Sequence, residues 1–204
     1  MKQKNLFIKG LLLAGSFMLF SAAQPATAGG TTGYSNGYYY FTYYTGNGAN
    51  TIHPNGNNYS ASWPSGLSDS LAGVGWDPGS IRNVNYNYGY ISGSFNNAGA
   101  YGWAPYPNLE WYITDFGSRG GTFKGTVNSD GGTYNVYLGS QGGGPQFNDA
   151  RTVSQSTGQN HTITMSNHVN YWKAHLGTFG TIRETTIMVE CYNGGSGSCN
   201  GTVW

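Results

Sequence analysis

Residues 108–115 read Asn-Leu-Glu-Trp-Tyr-Ile-Thr-Asp. In an extended strand, side chains alternate between faces, so Leu109, Trp111 and Ile113 share one side and Glu110 and Tyr112 the other. The first set belongs to a core. The second places a carboxyl beside a phenol on the face turned away from it. Residues 185–192, Thr-Thr-Ile-Met-Val-Glu-Cys-Tyr, repeat the arrangement. There Ile187, Val189 and Cys191 share one face, and Met188, Glu190 and Tyr192 the opposite one. Both segments are rich in β-branched and aromatic residues, and the same texture runs along the chain. Tyr38–Thr45, Asn58–Trp63, Ile81–Tyr88, Thr133–Leu138 and His161–Met165 are further strand candidates, separated by Gly, Asn, Ser and Asp. Many short strands without intervening helices predict an all-β sandwich or jelly roll.

One segment departs from this pattern. Val169, Trp172 and Leu176 recur at helical spacing, which predicts a single short helix over about 166–176. Ser166 or Asn167 can cap its start and Gly177 can end it. The glycine-rich run 139–145 (GSQGGGP) is expected to be a long hairpin loop. It is not a phosphate cradle, because no Lys-Ser/Thr follows it.

The N-terminus carries Lys2, Lys4 and Lys9, then an apolar stretch from Leu11 to Ala23, then Ala26-Thr27-Ala28. That order predicts a secretory signal peptide at 1–28, a single domain at 29–204, and an extracellular protein free of the membrane after cleavage. Charged residues make up 8% of the chain, and the net charge is +1. No basic field is present to hold a nucleic acid backbone. Aromatic residues make up 16%, which argues against disorder. Cys191 and Cys199 flank a turn-forming Tyr-Asn-Gly-Gly-Ser-Gly-Ser segment. In an oxidising compartment, a hairpin centred on Gly195 would set them opposite each other for a disulfide.

The chain has three glutamates, Glu110, Glu184 and Glu190, and all lie on or beside apolar strands. Two carboxyls in a half-dry aromatic cleft push their pKa values apart, as glycoside hydrolysis requires of an acid and a nucleophile. Tyr38, Tyr40 and Tyr44 alternate along one strand, and Tyr101 and Trp103 along another, as a supply of flat faces for sugar rings. Glu184 shares a strand face with Glu190 but lies roughly 20 Å along it, too far to join the chemistry. His53, His161 and His175 lack metal-ligand spacing, and no metal is expected. No Gly-x-Ser-x-Gly elbow is present to support a Ser-His-Asp hydrolase.

Several long motifs then fall in order: GYYYFTYYTG at 37–46, YGWAPYPNLEWYITDFG at 101–117, FKGTVNSDGGTYNVY at 123–137, SNHVNYWKAH at 166–175 and IMVECYNGGSGS at 187–198. Over nearly the whole of 29–204, the chain resembles the endo-β-1,4-xylanases of glycoside hydrolase family 11. The resemblance implies a β-jelly roll of two curved antiparallel sheets with a thumb hairpin. It also implies no cofactor, a monomer, and xylan or xylo-oligosaccharides as substrate. By position, it implies Glu110 as nucleophile, Glu190 as acid/base and Asp69 as the residue modulating Glu190, an Asp there going with activity at lower pH. Tyr44, Tyr101, Trp103, Tyr112, Pro145 and Gln155 would contact substrate, Pro145 from the thumb tip and Gln155 as a cleft glutamine. His168 matches a structural histidine. The chain departs from the pattern at Gln141 and Pro105, where arginines are usual, and at Glu184, where a tyrosine is usual. A polysaccharide-binding jelly roll without turnover and an endoglucanase are the competing readings.

Overall fold

The computed structural model describes residues 27–104, 108–141 and 144–204. The expected signal segment lies outside the described residues except for Thr27 and Ala28, and Pro105 lies outside them too. Among the described residues, fourteen strands and one helix follow in chain order: β1 (Thr27–Ser35), β2 (Tyr38–Gly46), β3 (Thr51–Asn55), β4 (Asn58–Trp63), β5 (Leu67–Trp76), β6 (Asn83–Gly93), β7 (Asn97–Ala104), β8 (Leu109–Gly117), β9 (Thr122–Ser129), β10 (Gly132–Gln141), β11 (Gly144–Arg151), β12 (His161–Thr164), α1 (Met165–His175), β13 (Thr185–Cys191) and β14 (Gly197–Val203). They form a nine-stranded sheet, β1-β2-β5-β13-β7-β8-β11-β10-β9, and a five-stranded sheet, β12-β6-β14-β4-β3. The jelly roll expected from the strand texture is the fold. The sheets are not wholly antiparallel, because β11 runs parallel to β8, pairing Gln146 with Glu110.

Alternation assigns the faces as the sequence predicts. Leu109, Trp111, Ile113, Ile187, Val189 and Cys191 are buried in the core between the sheets, with Tyr59, Trp63 and Tyr88 of the smaller sheet in the same cluster. On the other face of the large sheet, Tyr39, Phe41, Leu71, Tyr101, Tyr112 and Met188 form a second apolar cluster. That cluster floors the cleft.

The helix begins one residue earlier than predicted, and neither Ser166 nor Asn167 caps it. Its N-cap is Thr164, whose side chain makes no capping bond. The Asp130 carboxylate serves instead, accepting from the Thr164 N–H at 2.8 Å and from its hydroxyl at 2.7 Å. Gly177 follows the last turn at φ +126°, and its N–H donates to the Trp172 carbonyl at 3.1 Å. Inside, His168 Nδ1 lies 2.6 Å from one Asp149 oxygen, and Trp172 Nε1 donates to the other at 2.8 Å. His168 is thus a structural residue that ties the helix to β11, as the resemblance implied.

Among the described residues, the glycine-rich run is strand on both sides of the hairpin. The β10–β11 ladder continues through Gly139↔Gln146 and Ser140↔Pro145 to Gln141↔Gly144. Backbone pairing thus takes up most of the run expected to be loop.

The cysteines are also placed differently from expectation. Cys191 partners Ser70 in the large sheet, whereas Cys199 partners Ala61 and Ile91 in the small one. Chain reversal between β13 and β14 is a change of sheet rather than a hairpin, so the two residues are not cross-strand neighbours. Both are buried free thiols. Cys191 Sγ lies 3.1 Å from Asn193 Oδ1, and burial pushes the Cys199 thiol up to about 12.

Candidate active site

β8 carries Glu110 and Tyr112 on the cleft face, and β7 carries Tyr101 and Trp103 beside them, through the pairs Trp103↔Glu110 and Tyr101↔Tyr112. Three donors converge on the Glu110 carboxyl. The Tyr112 hydroxyl donates to Oε1 at 2.7 Å, the Tyr101 hydroxyl to the same oxygen at 3.2 Å, and Gln146 Nε2 to Oε2 at 2.6 Å. Trp103 Nε1 donates to the Tyr101 hydroxyl at 2.6 Å and so fixes that phenol. The Gln146 amide is oriented in turn by Asn148 Nδ2, which donates to its Oε1 at 2.9 Å. Glu110 is 5% exposed, so the carboxyl is held rigidly at the floor of the cleft.

Glu190 stands on the neighbouring β13, opposite Asn97 of β7 and Leu71 of β5. Asn97 Nδ2 donates to its Oε2 at 2.6 Å, and Arg119 forms an ion pair with the same oxygen. Arg119 is itself sandwiched. Its guanidinium carbon lies 3.4 Å from the centre of the Tyr112 ring, and its Nε donates to Asn148 Oδ1 at 3.2 Å. Burial raises the Glu190 carboxyl to about 7. Arg119 and Asn97 oppose that rise, and the charges of Asp69 and Glu110 reinforce it. A carboxyl so placed keeps its proton near neutral pH and can donate it.

Both carboxyls open on one cleft of about 580 Å³. Tyr101, Trp103, Tyr112 and Asp69 line it, as expected. Asp69, paired with Thr45 at the end of β5, is raised to about 6, chiefly by burial. It makes no hydrogen bond to Glu190, and its Oδ1 is buried without a partner. Asp69 thus acts on Glu190 through repulsion between like charges rather than by sharing a proton. The sign of the pH effect follows from this. Removing the Asp69 charge lowers the Glu190 pKa, so Asp69→Asn should move the alkaline limb of the kcat/KM profile downward. This reverses the direction that proton sharing would give. A profile measured for both proteins checks it; superimposable or upward-shifted alkaline limbs would refute the geometry.

Three expected contacts are absent. Tyr44, with Tyr38 and Tyr40, packs toward the inter-sheet core, while Tyr39, Phe41 and Tyr43 line the cleft. The register explains the exchange: Tyr43 pairs with Leu71, and Phe41 with Gly73, on the cleft side. On the opposite face the glycines of β1 leave room for the tyrosines, since a Cβ at Gly33 would come within 2.6 Å of the Tyr40 hydroxyl. Pro145 alternates with Gln146 and falls on the same side as the core residue Phe147. Gln155 lies beyond the end of β11, where its N–H donates to the Asp115 carbonyl at 2.9 Å. The cleft glutamine is Gln146. It lies nine positions before the glutamine that the resemblance implied.

Arg119, Asn97 and Asn148 escaped the sequence reading. Arg119 sits in the exposed-looking Gly117-Ser118-Arg119-Gly120 turn, and nothing in its neighbours signals burial. Glu184, set aside as too distant, lines the same cleft.

Against known proteins, the model for glycosyl hydrolases family 11 matches residues 35–202. This chain belongs to that family. An ethylene-inducing xylanase 1 of Botryotinia fuckeliana is 36% identical over 186 residues, covering 85% of this chain and 65% of that protein. Endo-1,4-beta-xylanase B of Phanerodontia chrysosporium is 34% identical over 193 residues, covering 88% and 65%. The family 11 chain thus spans about two-thirds of the length of these two relatives, slightly less at 65%. It spans 94% of a probable endo-1,4-beta-xylanase B of Aspergillus clavatus, at 33% identity over 210 residues and 96% of its own length. A solved structure from a comparison of two major endo-1,4-β-xylanases of Trichoderma reesei superposes with a TM-score of 0.69 at 28% identity, covering 87% of this chain and 99% of that one.

Proposed function

We propose that this family 11 protein is a secreted, monomeric endo-β-1,4-xylanase that cleaves internal xylan linkages with retention of configuration. The observation that carries this is the asymmetry of the two carboxyls. Glu110 receives three hydrogen bonds and meets no acceptor among the described residues. Glu190 is buried, with its carboxyl raised to about 7. In this reading Glu110 attacks the anomeric carbon while the Glu190 proton passes to the leaving glycosidic oxygen. The C–O bond breaks, and a covalent xylosyl-enzyme forms. Glu190, now ionised, removes a proton from water, which attacks the same carbon, expels Glu110 and restores both groups. Tyr43, Trp103 and Tyr192 offer rings along the cleft on which sugar faces can lie.

The test is to incubate the protein with xylan and with soluble cellulose side by side, and to follow the first product from xylohexaose by NMR. Reducing sugar should appear from xylan, and the new end should first be the β anomer. An initial α anomer would overturn the two-step mechanism. Preferential cleavage of cellulose would favour an endoglucanase, and binding without release a non-catalytic module.

A further inference from the structure

Glu184 is a carboxyl that the two-step mechanism does not use. It is 4% exposed, yet neither of its oxygens accepts a hydrogen bond among the described residues, and Oε2 is fully buried. Arg183 Nε lies 3.1 Å from Oε2 but is not aligned to donate, and the Arg183 side chain is 56% exposed. The contact is a charge pair at the cleft rim that leaves the carboxyl's lone pairs free. A buried acceptor without donors is costly, so such a group in a ligand cleft points to donors that arrive with the ligand.

The backbone holds this carboxyl in place. The Arg183 N–H donates to the Trp103 carbonyl at 2.7 Å, and the Gly79 N–H to the Arg183 carbonyl at 2.7 Å. Gly102 packs against the Glu184 carbonyl so closely that a Cβ there would collide with it. Its position relative to the chemistry follows from β7. The Trp103 end of that strand faces Glu110, and the Asn97 end faces Glu190. Glu184 therefore lies at the nucleophile's end of the cleft. The leaving side is the one that Glu190 protonates, so sugar units near Glu184 are those retained on the enzyme.

We infer that Glu184 is a specificity-determining residue that accepts hydrogen bonds from free hydroxyls of a sugar unit on the retained side of the scissile bond. This inference rests on the xylanase reading above. Burial raises the Glu184 carboxyl to about 7, and hydroxyl donors arriving with the sugar favour its ionised form, which accepts but cannot donate. It distinguishes a free hydroxyl from one blocked as an ester, because the ester oxygen brings no proton. A site built around a hydroxyl donor discriminates strongly against an analogue that lacks it.

The experiment measures kcat and KM on xylohexaose, and on the same oligosaccharide carrying 2-O- or 3-O-acetyl groups, for wild type, Glu184→Gln and Glu184→Ala. Wild type should prefer the unacetylated substrate. Glu184→Ala should raise KM for xylohexaose by about tenfold with a much smaller change in kcat. Both variants should reduce the preference by at least about fivefold. Glu184→Gln is nearly isosteric and its amide N–H can donate to an ester oxygen, so it should lose discrimination while keeping more affinity than Glu184→Ala. Wild-type values for KM and preference in both variants would overturn the inference, as would a wild type indifferent to acetylation. A wild type inactive on xylohexaose would overturn the xylanase reading itself, which separates the two failures.

Discussion

Glu110→Gln and Glu190→Gln should each lower kcat/KM on xylan by at least about 100-fold, with the fold intact, since positioned acid–base catalysis alone contributes that much. Gln fits either site, but for different reasons. At 110 it keeps an oxygen for the Tyr112 hydroxyl, which donates at 2.7 Å, yet it cannot form the covalent intermediate. At 190 it keeps an acceptor for Asn97, and it loses the transferable proton and the charge that pairs with Arg119. An aryl xyloside with an acidic phenol as leaving group separates the two. Such a phenol departs without protonation, so Glu190→Gln should still release it in a first-turnover burst, and Glu110→Gln should not. Near wild-type xylan hydrolysis by either variant would remove that glutamate from the mechanism. A burst from Glu110→Gln would exchange the two roles.

Trp172→Ala should cost about 3–5 kcal/mol of stability, as expected for truncating a large buried aromatic. The ring is fully buried, with centroids 6.2 Å from Trp111, 5.7 Å from Phe147 and 5.2 Å from Phe179. Its N–H is also one of the two contacts that satisfy the buried Asp149 carboxylate, at 2.8 Å. At about 2–4 °C per kcal/mol for a domain of this size, Tm should fall by roughly 10 °C. Trp172→Phe fills most of the space but still orphans one Asp149 oxygen, so it should cost about 1–3 kcal/mol. Thermal melts of the three proteins check this. Equal Tm values for wild type and Trp172→Ala would mean that the helix is not an integral part of the core.

Alternation made most of the fold and both glutamates legible. A strand's period of two fixes which residues share a face wherever one face is visibly apolar, as at Leu109/Trp111/Ile113 and Ile187/Val189. The same rule failed at Tyr38–Tyr44, where aromatic residues occupy both faces and composition cannot choose between them. There the choice came from cross-strand partners, Leu71 on one side and the glycines of β1 on the other. Gln146 was hidden because its role depends on the parallel pairing of β11 with β8, a contact between segments far apart in sequence. The cysteines misled for a related reason. Turn-forming residues mark where a chain reverses, but not whether it returns to the same sheet. Arg119 carries no periodic signal at all, because its burial is made by the Tyr112 ring and the Glu190 carboxylate.

The parallel contact between β8 and β11 also bears on the order of assembly. Antiparallel neighbours can zip outward from a turn, whereas parallel ones must first close the chain between them. Here that chain is the β9–β10 hairpin, and the Gln146–Glu110 hydrogen bond joins residues 36 apart. Loop closure must precede the reward of that contact, and non-local pairings of this kind slow folding. The seat of Glu110 is therefore completed late. During refolding, strand signal should return before hydrolytic competence, with newly made chains passing through a stage that has its sheets but not yet its chemistry.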